Sequence, residues 1–211
     1  MLKNLRISSK KNLVSPISLL ILMSVAMPIA FNAWSAMLNN FVVERAAFTG
    51  IEIGILQSLR EVPGFLAFTT IFVLLVVREQ IFAVFALSLL GLGVAITGFF
   101  PTVFGLYFTT VLMSIGFHYF EAVKQSLSLQ WLPKDEAPQV LGRLIAIGSL
   151  TSLIVYGSLW FLLEIFKASY LVNFFIAGGL CMILALVMYF VFPVFPAKTI
   201  QNKNLILRKR Y

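Results

Sequence analysis

The stretch Asn12–Val43, NLVSPISLLILMSVAMPIAFNAWSAMLNNFVV, contains no Asp, Glu, Lys or Arg. A bilayer core about 30 Å thick is crossed by roughly 20 apolar residues of α-helix, so this run is long enough to span a membrane. Ala168–Ala197 near the other end is equally free of charge. Between them, short polar links divide the apolar sequence into further segments. Helices are expected at about 15–40, 52–77, 80–98, 102–131, 139–164 and 168–193. The expected fold is an all-α integral membrane protein with six transmembrane helices.

Composition agrees. Hydrophobic residues make up 60% of the chain and charged residues 11%, whereas soluble domains carry about a quarter charged residues. Mean hydropathy is +0.98. The expected organisation is a basic N-terminus at 1–14, a six-helix domain at 15–193 and a basic tail at 194–211. Lys3, Arg6, Lys10 and Lys11 precede an apolar run far longer than the core of a secretory signal, so that run reads as a retained first helix. Cys181 is the single cysteine and is expected as a small buried hydrophobe.

Positive charge near helix ends is retained on the cytoplasmic side. Of the 16 basic residues, twelve fall on one set of surfaces: Lys3, Arg6, Lys10, Lys11, Arg78, Lys134, Arg143, Lys198, Lys203, Arg208, Lys209 and Arg210. Only Arg45 and Lys167 fall on the other, while Arg60 and Lys124 lie within helices. Both termini are expected in the cytoplasm, with the chain in the plasma membrane, a bacterial inner membrane. Topology accounts for the net charge of +8. The basic tail lacks the interleaved aromatics that stack on bases, so no nucleic-acid partner is expected.

The fourth segment carries a polar stripe, Tyr107, Thr110, Ser114, His118, Glu121, Gln125 and Ser128, at steps of three or four residues. That spacing places them on one helix face. Thinner stripes occur in the first segment (Ser24, Pro28, Asn32, Ser35, Asn39), the second (Gly54, Gln57, Glu61, Gly64) and the fifth (Gly142, Ser149, Ser152, Tyr156). The third and sixth segments have few polar residues and are expected on the outside, facing lipid. A polar interior lined by the first, second, fourth and fifth helices follows.

Arg60, Glu61, His118, Glu121 and Lys124 are the ionisable residues deepest in the expected membrane, where an uncompensated charge costs about 2.5 kcal/mol or more. Each must be paired, neutralised or hydrated. Glu121 has His118 three residues before it and Lys124 three after, a spacing that permits contact on a helix. A carboxylate or imidazole in that setting can exchange protons near neutral pH, as a proton-coupled carrier requires. The structural alternative is an ion-pair network locking the second and fourth helices together. One histidine, no His and Cys cluster and no carboxylate pair at ligand spacing argue against a metal site. Glycine-rich nucleotide motifs are missing as well, so neither an enzyme nor a cofactor is expected.

The link LPKDEAPQVLGR at 132–143, the small-residue run AIGSLTS at 146–152 and the start of the second helix, TGIEIGILQS at 49–58, together resemble one six-helix, N-terminal half of a major facilitator superfamily transporter. The resemblance covers about 180 of 211 residues in topology. It departs from the family in the link after the second helix. The usual Gly-x-x-x-Asp-Arg-x-Gly-Arg-Arg is replaced there by Val77, Arg78, Glu79 and Gln80. The fifth helix also lacks the Gly-Pro pattern of proton-driven drug antiporters.

The resemblance implies that the first and fourth helices line a central cavity, flanked by the second and fifth, and that two six-helix halves rock about a mid-membrane site. The expected function is transport of a small solute by alternating access, with a proton as candidate coupling ion. The chain would act as a half-transporter or truncated carrier, completed by a second copy or a separate six-helix half. Asn32, Asn39, His118, Glu121 and Gln125 are the expected substrate or proton site, and Arg60, Glu61 and Lys124 the intramembrane charge network. The competing expectation is a non-transporting membrane scaffold or assembly subunit in which the same residues hold helices together.

Overall fold

The computed structural model describes residues 14–196. Most of the expected basic N-terminus and tail, including nine of the twelve residues that set the orientation, lies outside the described residues. The described residues form seven α-helices: α1 (Pro16–Ala46), α2 (Gly50–Phe65), α3 (Thr70–Leu74), α4 (Glu79–Thr97), α5 (Val103–Trp131), α6 (Ala137–Trp160) and α7 (Tyr170–Val191). Five helices are long and apolar enough to cross a membrane: α1, α4, α5, α6 with its π-helical extension Phe161–Ile165, and α7. Among the described residues there is no β-strand.

The boundaries follow local chemistry. The Ser15 hydroxyl accepts from the Ser18 N–H at 3.1 Å, with Pro16 next in line to open α1. Thr49 and Glu52 form a reciprocal capping box on α2, the Glu52 carboxylate accepting the Thr49 N–H at 2.8 Å. Thr102 and Ser169 cap α5 and α7 as Ser15 caps α1, their hydroxyls accepting the Gly105 and Val172 N–H groups. α1 ends at Ala47 in the left-handed conformation, φ 52°.

The second helix, expected as continuous over 52–77, is broken. Pro63 lacks the N–H of a regular helical turn and its ring crowds the preceding turn. After Gly64, the turn Leu66–Thr69 tightens to a 3-10 helix before α3 resumes. The Leu66 carbonyl accepts the Thr69 hydroxyl at 2.8 Å and the Tyr119 hydroxyl of α5 at 3.3 Å. A carbonyl at the break is thereby satisfied from within the protein, as an apolar surrounding demands.

α1, α4, α5 and α7 form the packed centre, with Trp34, Phe120 and Phe174 among the fully buried side chains. α2 lies against α5, and α6 against α1. α4 is not the lipid-facing helix expected of the third segment. In its most apolar stretch 67% is buried, the largest share of the five, against 22% for Ala137–Ile165. Glycines let neighbouring backbones approach it closely. A Cβ at Gly178 of α7 would stand 2.3 Å from the Gly91 carbonyl oxygen, and one at Gly93 only 2.5 Å from the Met113 nitrogen of α5.

The short link after α3 is clamped within the chain. Glu79 accepts from Ser126 at 3.3 Å and from Gln130, both on α5. Gln80 donates to the Pro193 carbonyl and accepts the Phe195 N–H, each at 2.9 Å.

Candidate functional site

A pocket of about 470 Å³ opens between α1, α5 and α6. α1 contributes Ser24, Met27, Pro28, Phe31 and Asn32. α5 contributes Phe117, Glu121, Lys124, Gln125 and Ser128, and α6 contributes Leu141, Leu144, Ile145, Gly148, Ser149 and Ser152. Asn32 and Ser152 stand near the middle of their helices, so the pocket runs from mid-length toward the end that carries Leu132–Pro138.

Lys124 Nζ lies 3.4 Å from Glu121 Oε1, one helical turn away, with side-chain exposures of 18% and 41%. The ammonium also lies 6.0 Å from the centre of the Phe120 ring. Asn32 Nδ2 donates to Ser152 Oγ at 2.6 Å, and Ser152 in turn donates to the Gly148 carbonyl at 2.9 Å. This chain fixes the Asn32 amide and ties α1 to α6. Phe31 and Phe117 stack at 4.1 Å across the α1 and α5 boundary and form an apolar wall. The Ser24 hydroxyl is buried without a partner among the described residues.

Asn32, Glu121 and Gln125 therefore occupy the pocket as the stripes suggest, and Lys124 joins them. Asn39 does not line it. It lies two turns beyond Asn32, about 10 Å along the axis, and is exposed. His118 does not line it either; its ring sits on Gly64 of α2.

The polar stripe of α5 divides because its 3.5-residue period drifts around a straight helix by about 20° per heptad, so about 60° from Tyr107 to Ser128. The first half meets α2: the Tyr107 hydroxyl donates to the Glu52 carbonyl at 3.4 Å, and the Ser114 hydroxyl to the Arg60 carbonyl. The second half, from Glu121 onward, faces α1 and α6. The polar interior is accordingly lined by α1, α5 and α6, without α2.

The expected charge network also separates. Arg60 pairs with its neighbour Glu61 at 2.7 Å, with side-chain exposures of 30% and 61%. Lys124 pairs with Glu121. Every ion pair among the described residues joins two residues of the same local segment, and none bridges two helices. The reason is that Arg60 turns its backbone carbonyl, not its guanidinium, toward α5.

Ser24, Ser128, Ser149 and Ser152 belong to the stripes but not to the site expected from sequence. Their signal was the spacing of three or four residues, or seven, along α1, α5 and α6. Phe31, Phe117 and Met27 carry no such signal, because an apolar wall residue resembles a lipid-facing one.

The pocket offers one cation, one anion, two amides, several hydroxyls and an aromatic wall. Such a surface offers charge-assisted hydrogen bonds beside an apolar wall. In comparison with known proteins, the chain matches no family model, no curated protein and no solved structure.

Proposed function

We propose that the chain is one six-helix half of a major-facilitator-type solute carrier that moves a small solute by alternating access. The observation that carries this reading is the pocket where α1, α5 and α6 meet, in which Glu121, Lys124 and Gln125 keep unused hydrogen-bonding capacity. Glu121 and Lys124 are half-buried and Gln125 is exposed, and polar or ionisable groups within membrane helices are costly and mark solute or proton paths by default.

The order of helix contacts supports the same reading. α1 packs on α6 and α7, as α5 packs on α2 and α4, while α4 and α7 pack on each other. Taking α2 and α3 as one interrupted span, the second of six, exchange of the first three spans with the last three leaves this set unchanged. Such internal repeats characterise secondary carriers.

The carrier is completed by a second six-helix half, either another copy of the chain or a separate protein. The half-buried Arg60 with its exposed neighbour Glu61 and the open side of the pocket are the surfaces a partner would cover. The termini lie in the cytoplasm of a bacterial inner membrane, with Arg78, Lys134 and Arg143 on that side and Arg45 and Lys167 opposite.

The test is uptake into liposomes containing the purified protein, with and without an imposed pH gradient. Glu121→Gln should abolish pH-dependent uptake while leaving thermal unfolding within about 1 kcal/mol. Loss of assembly with no flux in either protein would identify a scaffold instead. Native mass spectrometry from mild extraction decides the partner: a species of twice the 23.6 kDa chain mass, or a complex with a second multi-helix chain, fits a two-half carrier. A solitary chain does not.

A further inference from the structure

Among the described residues, Glu121 and Lys124 are the only ionisable side chains lining the pocket, and they carry opposite charge. The lining is therefore neutral as a whole yet strongly polarised at one point. Lys124 uses one of its three N–H donors on Glu121, at 3.4 Å, the outer limit of a hydrogen bond. Gln125 and Ser149 make no hydrogen bond among the described residues, and the Ser24 hydroxyl is buried unpartnered. Phe31, Phe117 and Met27 also line the pocket, with Leu144 and Ile145 completing the apolar surface.

Resting on the carrier reading above, we infer that this pocket selects a small zwitterion with an apolar group, of the α-amino acid class. A singly charged ligand would leave the site with net charge inside a low-dielectric membrane. A neutral polyol would leave the residual donors and acceptors of Lys124 and Glu121 without charged partners and press hydroxyls against the aromatic wall. A zwitterion satisfies both: its ammonium meets Glu121, its carboxylate meets Lys124, and its apolar part lies on Phe31 and Phe117. The site remains neutral when occupied.

The experiment is calorimetric titration of the full chain in lipid nanodiscs with L-phenylalanine, 3-phenylpropanoate and 2-phenylethylamine, which differ in charge and little in shape. Phenylalanine should bind, and each singly charged analogue should bind more weakly by a factor on the order of ten or more. Lys124→Met should transfer the preference to phenylethylamine, and Glu121→Gln to phenylpropanoate. A merely structural ion pair would produce no such exchange of preference. Equal affinity for the three ligands, or no binding of phenylalanine to the unaltered protein, overturns the inference. That comparison needs no variant to fold. Binding is read without flux: zwitterion selectivity in a protein that moves nothing sinks the carrier reading alone. Uptake of a singly charged solute by a protein indifferent to phenylalanine sinks this inference alone.

Discussion

The imidazole of His118 lies on Gly64, so close that a Cβ at position 64 would stand 2.7 Å from Cε1 and 2.9 Å from Nε2. Glycine at this point of α2 brings the helix, just before its 3-10 turn, onto α5. Phe117 bounds the ring on its own helix, with centroids 5.0 Å apart. Gly64→Ala should therefore displace the imidazole and lower stability by about 1 kcal/mol. His118→Ala should relieve much of that loss. Thermal unfolding of the two single variants and the double variant checks the pair, and additive losses would refute the contact.

Gly116 faces backbone instead of a side chain. A Cβ there would lie 2.2 Å from the Leu90 nitrogen and 2.7 Å from the Ala86 carbonyl oxygen. No rotamer change can relieve this, so Gly116→Ala should cost about 3 kcal/mol and separate α5 from α4. Gly157 meets nothing within 4 Å, and Gly157→Ala should be neutral or gain about 0.5 kcal/mol from helix propensity. Similar unfolding temperatures for the two alanine variants would contradict the packing of α4.

Asn32 and Ser152 should be energetically coupled, because their 2.6 Å hydrogen bond joins α1 to α6. Such bonds between membrane helices average about 0.6 kcal/mol. A double-mutant cycle of Asn32→Ala and Ser152→Ala, followed by chemical unfolding in micelles, measures the coupling. Strict additivity would mean that the two side chains do not meet.

Water should reach the pocket but not the outer faces of the bundle. Cys181 is fully buried, its thiol 3.6 Å from the Leu87 carbonyl oxygen, and should resist a polar maleimide until the protein unfolds. In a Cys181→Ala background, Ser149→Cys should react rapidly and Ile183→Cys slowly, since Ile183 is 56% exposed on the apolar outer face of α7, which lipid should cover. Equal rates at the two positions would show that the pocket is not wet.

Cysteines at Lys134 and Lys167 should label from opposite sides of the membrane, because those residues lie in the links at opposite ends of α6. Lys134 should react only with reagent admitted to the cytoplasmic face. Labelling of both from one side would mean that α6 does not cross the membrane, and labelling of Lys134 from the outer face would overturn the orientation inferred from charge.

Helix positions were legible in the sequence to within a few residues for α4 and α5, because proline, glycine and capping residues mark their ends. α2 was read through its break although Pro63 and Gly64 stood in plain sight. Apolar length alone cannot separate a continuous helix from an interrupted one. The third segment was placed toward lipid on its lack of polar residues, yet lipid and protein interior are equally apolar. Gly91 and Gly93 were the readable sign that another helix packs there. His118 and Asn39 were assigned to the site from helical period, which groups residues on one face without stating what faces them.

By itself, the sequence determined that this is a helical protein with apolar helices long enough to cross a membrane. Hydrocarbon offers no partner for backbone N–H and C=O groups, so long apolar runs must bond internally. It also determined that the deep polar residues concentrate on α5. Only the tertiary structure decided that Glu121 and Lys124 share a pocket with Asn32 and Ser152, while His118 and the Arg60 and Glu61 pair lie toward α2. Those allocations depend on the rotation and mutual approach of helices, which are fixed by close contacts such as Gly116 on Leu90 and Gly178 on Gly91. No single helix encodes them.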